Sequence, residues 1–240
     1  MNKGPGVLLV LCLLAAMSFL LPSCVEEEEV AAPKEEAPEG QLPTMQVGDQ
    51  WVWSYIMGET TSTLTEEIIG EETVEGRDCF VTNMLFDPVM SATQDGVVYT
   101  TAGMKYWSDK TTHFLGVKME TTTNYNGQVI TQSVTYSYNP WTSLFPLEVG
   151  KEAETEKTTT NYYEGEQYGE TAVSTEIFTV VSREDVTVTA GTFSCWKITY
   201  YDNALDTAQI MWYSDQAKSI VKITDADGKT IMELRSYSVR

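Results

Sequence analysis

From Trp51 onward the chain is written in a two-residue period. In Gln128–Tyr138, Ile130, Val134, Tyr136 and Tyr138 fall on one side, and Thr131, Ser133, Thr135 and Ser137 fall on the other. That is the alternation of a half-buried strand. Ser194–Tyr200 repeats it with Trp196, Ile198 and Tyr200. Glycines at 70, 76, 96, 127, 165, 191 and 228 punctuate the runs, at the spacing of roughly 8–12 residues that marks a sandwich or barrel. The chain holds 32 Thr, 13 Tyr, 6 Trp and 7 Phe, residue types that fit a pleated surface. No stretch carries the capped, amphipathic pattern of a long helix. The expectation is an all-β protein of curved antiparallel sheets, a half-barrel or a sandwich.

The β pattern also repeats itself. Met45-Gln-Val47-Gly48-Asp49 is echoed by Leu147-Glu-Val149-Gly150-Lys151. Val74-Glu-Gly76-Arg-Asp-Cys79-Phe80 is echoed by Val188-Thr-Ala-Gly191-Thr-Phe-Ser-Cys195-Trp196. Met104-Lys-Tyr106-Trp107-Ser108-Asp109 is echoed by Ile210-Met-Trp212-Tyr213-Ser214-Asp215. Three motifs in one order point to an internal duplication. Residues 44–139 form the first repeat, 140–148 the connection and 149–240 the second repeat, the two together making one compact unit. Trp141, Leu144 and Phe145 make that connection too apolar for an idle linker, so it is expected to pack.

The N-terminus has a different character. Lys3 precedes an apolar run from Val7 to Leu21, short for a membrane span and right for the core of a secretory signal over residues 1–23. The run ends in Leu21-Pro22-Ser23-Cys24, which resembles the lipobox of prokaryotic lipoproteins. The resemblance implies cleavage before Cys24, acylation of that thiol and an extracytoplasmic, membrane-anchored protein of the cell envelope or surface. Pro22 departs from the small residue usual at its position. Residues 24–43 hold seven Glu and three Pro and no aromatic, so they are read as a solvated, disordered tether. Residues 1–43 account for seven of the 35 acids and two of the 15 bases, so the rest keeps −15 of the net −20. Such an acidic surface argues against nucleic acid as a partner.

Two further resemblances rest on the second repeat. Val188-Thr-Ala-Gly191-Thr192-Phe193, followed by Met211-Trp212-Tyr213-Ser214-Asp215 and Ile220-Val221-Lys222-Ile223, resembles uncharacterised exported β-proteins that share this turn. More distantly it is similar to LolA/LolB-like lipoprotein-carrier half-barrels. The resemblance covers about 40 residues and implies a strongly curved sheet whose concave face holds an apolar group. The covering helices of those carriers have no counterpart in this sequence.

Residues that could carry chemistry are few. With Cys12 in the signal and Cys24 acylated, Cys79 and Cys195 remain at matching repeat positions. In an exported chain they suit a disulfide, and equally suit two buried free thiols. His113 is the one imidazole, read as an exposed side chain. With no G-x-S-x-G elbow, a serine–histidine hydrolase is not expected. No Cys or His set has metal-ligand spacing, so neither metal nor cofactor is expected. Glu66-Glu67, Glu71-Glu72 and Glu184-Asp185 lie beside expected turns and are read as solvated. Asp225-Ala226-Asp227-Gly228 begins like a calcium loop but lacks its closing Glu, so a type I′ hairpin turn at Asp227-Gly228 is expected instead. The aromatics Trp51, Trp53, Tyr55, Trp107, Trp196 and Trp212 either fill the core or line an open apolar groove. The resulting functional expectation is a non-enzymatic lipoprotein that binds a lipid or another apolar or amphipathic ligand on a concave β face. The alternative is a structural or adhesive surface protein.

Overall fold

A computed structural model describes residues 39–240 apart from 58, 59, 95, 96, 126, 205 and 206. The signal segment, Cys24 and most of the tether lie outside the described residues. The alternating runs become β1 (Gln50–Met57), β2 (Thr60–Val74), β3 (Arg77–Gln94), β4 (Val97–Asp109), β5 (Gly116–Tyr125), β6 (Gln128–Asn139) and β7 (Glu152–Tyr163). Then follow β8 (Glu166–Gln167), β9 (Ala172–Val188), β10 (Gly191–Asp202), β11 (Thr207–Ser214), β12 (Ser219–Asp225) and β13 (Thr230–Ser238). Among the described residues there is no helix.

Every long strand pairs antiparallel with the next, β8 being a two-residue flap on β7. The two pairings between the halves close the circle. β6 meets β7 from Gln132↔Tyr163 to Asn139↔Glu156, and β1 meets β13 from Gln50↔Ser238 to Tyr55↔Met232. The result is a closed twelve-stranded barrel, which corrects the expected half-barrel or sandwich. Closure satisfies the edge N–H and C=O groups that a half-barrel would leave open.

Strands β1–β6 and β7 with β9–β13 follow the same plan. Gly48 N–H donates to the Ile68 carbonyl and Gly150 N–H to that of Val180, both at 2.8 Å, and both glycines hold a positive φ (88° and 89°). Ile69 on β2 and Val181 on β9 are extra residues at equivalent bulges. So are Val117 on β5 and Val221 on β12. The sequence match at the third motif shifts by one residue. Val81 faces Trp107 and Lys197 faces Trp212 across the hairpins, so Trp107 corresponds to Trp212 rather than to Tyr213.

The barrel has two unlike ends. At one, the 110–115 loop, the 140–151 connection and the 215–218 turn fold inward as an apolar plug. Phe114 stacks on Phe145 at 5.2 Å, and Tyr213 meets both edge-on. Trp51 donates its indole N–H to the Ala217 carbonyl at 2.5 Å. Each fully buried aliphatic such as Leu64 or Ile198 contributes about 2 kcal/mol there. Toward the other end the buried inner residues turn polar, with Ser62, Gln132, Lys157, Ser174, Glu176, Asp202 and Gln209.

The packed unit begins before the tether's expected end at residue 43. Glu39 pairs with Arg183, and the Gly40 carbonyl accepts from Leu147 N–H at 2.6 Å. The 225–229 turn is also not type I′, which needs positive φ at both central residues. Gly228 has φ 83° and Asp227 is not left-handed. Gly228 N–H closes on the Asp225 carbonyl at 3.1 Å, a type I turn followed by a left-handed glycine.

Candidate functional site

The aromatics singled out in the sequence are placed on two faces and do not meet in one groove. Trp51, Trp53 and Tyr55 point inward from β1 and are buried. Trp107 and Trp212 lie on the outer face, each held by a carboxylate two strands away. Trp107 Nε1 donates to Glu72 at 2.8 Å and Trp212 Nε1 to Glu184 at 2.7 Å. Lys118 lies over the Trp107 ring, and Lys197 and Lys222 lie over that of Trp212. Trp196 Nε1 donates to Asp215 at 3.0 Å, with the Arg183 guanidinium over its ring. Trp107 and Trp212 thus serve as posts that tie strands together, while Trp196 ties β10 to the 215–218 turn.

Cys79 and Cys195 are free and buried, in place of the bridge that the sequence allowed. Cys79 packs with Val81, Trp107 and Val117 in a small cluster of its own, while Cys195 belongs to the main core. Each thiol donates to the carbonyl two residues back, Arg77 and Phe193. Burial pushes the Cys79 thiol up to about 11 and that of Cys195 to about 12, so neither is a ready nucleophile.

His113 is buried rather than exposed, edge-on to Phe114, Phe145 and Tyr213. Desolvation holds its imidazole down to about 4. Its loop is fixed by Asp109, whose Oδ1 accepts from the Thr111 and Thr112 N–H groups at 2.8 and 3.0 Å and whose Oδ2 accepts from Arg77 at 3.0 Å.

Of the buried acids, Glu66 departs from the solvated carboxylate expected of it. Glu66 faces inward and is fully buried, and its oxygens accept no hydrogen bond. Desolvation raises its carboxyl well above the ordinary range, opposed by the nearby Trp53 indole. Glu176 and Asp202, not singled out in the sequence, share the Lys157 ammonium at 2.5 and 2.7 Å. Tyr200 OH adds a bond to Glu176 at 2.7 Å. Burial alone would lower Lys157, but the two carboxylates hold it above its usual value. Although two acids converge, all three charged side chains are at most 7% exposed. Their hydrogen bonds join β7, β9 and β10 through the shared Lys157 ammonium. Among the described residues no group of three His, Cys, Asp or Glu could hold a metal ion.

Open space with polar walls lies outside the barrel. A crevice of about 400 Å³ is lined by Thr135 and Ser137 of β6, Thr158, Thr160 and Tyr162 of β7, and Glu75, Arg77 and Trp141 above them. Asn139-Pro140 ends β6 and turns the chain so that Trp141 packs edge-on against Tyr138 at 4.8 Å. The expectation that the connection packs is met here. The Arg77 guanidinium stacks 3.3 Å over the Trp141 ring. Arg77 and Tyr162 escaped the sequence reading because nothing local marks a hairpin tip that folds over a distant strand pair.

No protein-family model matches this chain, and no curated protein does. Among solved structures it is similar to a lipoprotein candidate from Parabacteroides distasonis, 14% identical over 84% of this chain and 100% of that one, with a TM-score of 0.40. It is also similar to an exported-protein candidate with a YmcC-like fold from Bacteroides fragilis, 11% identical over 82% of this chain and 99% of that one, with a TM-score of 0.38. Both scores are too low to carry either protein's fold or role across.

Proposed function

We propose that this chain is an exported, lipid-anchored, non-catalytic binding protein whose ligand seat is on the outside of the barrel. Export and anchoring are supported by the signal-like residues 1–23 and by Cys24 at the end of a lipobox-like tetrapeptide. The six-plus-six correspondence of turns and bulges supports descent from a duplicated half. One observation carries the choice of seat. The rings expected to line a concave apolar groove, Trp51 and Trp53, are fully buried in the interior, whereas the Arg77–Trp141 crevice is open on the outer face. The same packing favours a second reading, a structural or adhesive surface protein with no small ligand.

The test of anchoring is fractionation of cells fed a clickable palmitate. The wild-type chain should label and stay with membranes, and Cys24→Ala should do neither. An unlabelled wild-type protein found free of membranes overturns the anchor.

A further inference from the structure

From the crevice chemistry we infer that its ligand is a neutral saccharide segment, lying along the paired strands β6 and β7. This inference rests on the outer seat proposed above and names what fills it.

The floor is built from directly facing residues, Thr135↔Thr160 and Ser137↔Thr158, with Tyr162 one step further along β7. Neighbouring strands lie about 4.8 Å apart and residues on one face about 7 Å apart, so these hydroxyls form a fixed grid. Some Thr hydroxyls elsewhere find partners, Thr155 donating to the Pro140 carbonyl at 2.7 Å and Thr189 to Glu233 at 2.9 Å, while those of Thr82 and Thr121 are buried without one. Among the described residues, no hydrogen bond is made by the side chains of Thr135, Ser137, Thr158, Thr160 or Tyr162. The walls add an aromatic surface, the Trp141 ring with the Arg77 guanidinium 3.3 Å over it.

Each hydroxyl both donates and accepts, and a polyol presents the same pair of capacities at every carbon. An apolar chain would strip these groups of water and return nothing. An anion would meet Glu75 in the same crevice and an acidic surface around it. One of the Arg77 N–H groups is already committed to Asp109, which leaves less charge to attract an anion. A neutral ring with hydroxyls on its rim and C–H groups on its face matches both the grid and the aromatic edges. The volume falls in the range of small-ligand sites, roughly 300–1,000 Å³.

The test is calorimetric titration of the full-length acylated protein in detergent with maltotriose, cellotriose and the trisaccharide of N-acetylglucosamine. Inorganic phosphate is the anionic control. At least one sugar should bind, and Thr135→Val with Thr160→Val should weaken it about tenfold or more, because two polar partners vanish. Valine keeps the shape and strand preference of threonine, so unchanged circular dichroism and melting temperature would show that the barrel is intact. Three flat sugar titrations overturn the inference, as does sugar binding that the double variant leaves unchanged. Binding of phosphate in place of sugar also overturns it. None of these outcomes affects palmitate labelling at Cys24, so the anchor and the ligand class stand or fall separately.

Discussion

A carboxyl group beside Trp51, Trp53 and Met84 has no water to support a charge, so Glu66 stays protonated far more readily than a surface glutamate. Its stabilising contribution is complete below the unfolded value of about 4.5 and is lost as pH rises through the raised folded value. Glu66→Gln should therefore increase stability at neutral pH and flatten the alkaline side of the stability profile, read by urea unfolding at several pH values. His113 has the opposite sign. Its folded value falls from 6.5 to about 4, so its contribution is full above 6.5 and is lost on acidification, amounting to roughly 3 kcal/mol over that interval. His113→Asn, chosen because asparagine tolerates the φ of 62°, should flatten the slope of stability between pH 6.5 and 4. An unchanged acid slope would mean that other groups set it. The sequence held half of this. Leu64, Glu66 and Ile68 share one parity, so the alternation offered an inward Glu66, although the Glu66-Glu67 doublet reads as solvated. His113 was unreadable, because Phe145 and Tyr213, which enclose it, come from distant segments.

Strand placement was legible wherever alternation was strict. The lead-in turns at Gly48 and Gly150 were legible too, because glycine is required at their left-handed backbone. What escaped was the content of the inner face at β7, β9 and β10. Lys157 sits among Thr and Glu residues in a segment that reads as solvent-facing, and only the pairing of β7 with β9 brings Glu176 and, through β10, Asp202 against it. Lys157→Met should cost roughly 3–5 kcal/mol in urea unfolding, because it leaves two buried carboxylates uncompensated. Adding Glu176→Gln and Asp202→Asn to that variant should recover most of the loss. A single variant as stable as the wild type would show that the triad is not desolvated. The one-residue slip at the third motif has a related cause. Letters align Ser108-Asp109 with Ser214-Asp215, but packing preserves which ring faces outward over the cysteine strand.

Closure is the property that alternation cannot report. A strand in a sandwich, a half-barrel or a closed barrel shows the same period, and only the long-range pairings β1–β13 and β6–β7 decide among them. Residues 39–147 expressed alone would leave the edges of β1 and β6 unpaired and should aggregate. Co-expression with residues 148–240 should restore a soluble one-to-one complex of monomer size, checked by size-exclusion chromatography with light scattering. A soluble, monomeric first half would show that closure is dispensable. The crevice was only partly foreseeable: Trp141 was too apolar for a linker, but the hydroxyl grid beneath it depends on the β6–β7 seam. That seam also sets a stoichiometry. Two halves with equivalent turns, bulges and tryptophan posts would be expected to offer two equivalent seats. At the β1–β13 seam, however, the residue two before the cysteine is Phe193 in place of Arg77, and it packs on Tyr237 at 5.7 Å. The pseudo-twofold is therefore broken at the one place where it would matter to a ligand, and each molecule should titrate with a single equivalent.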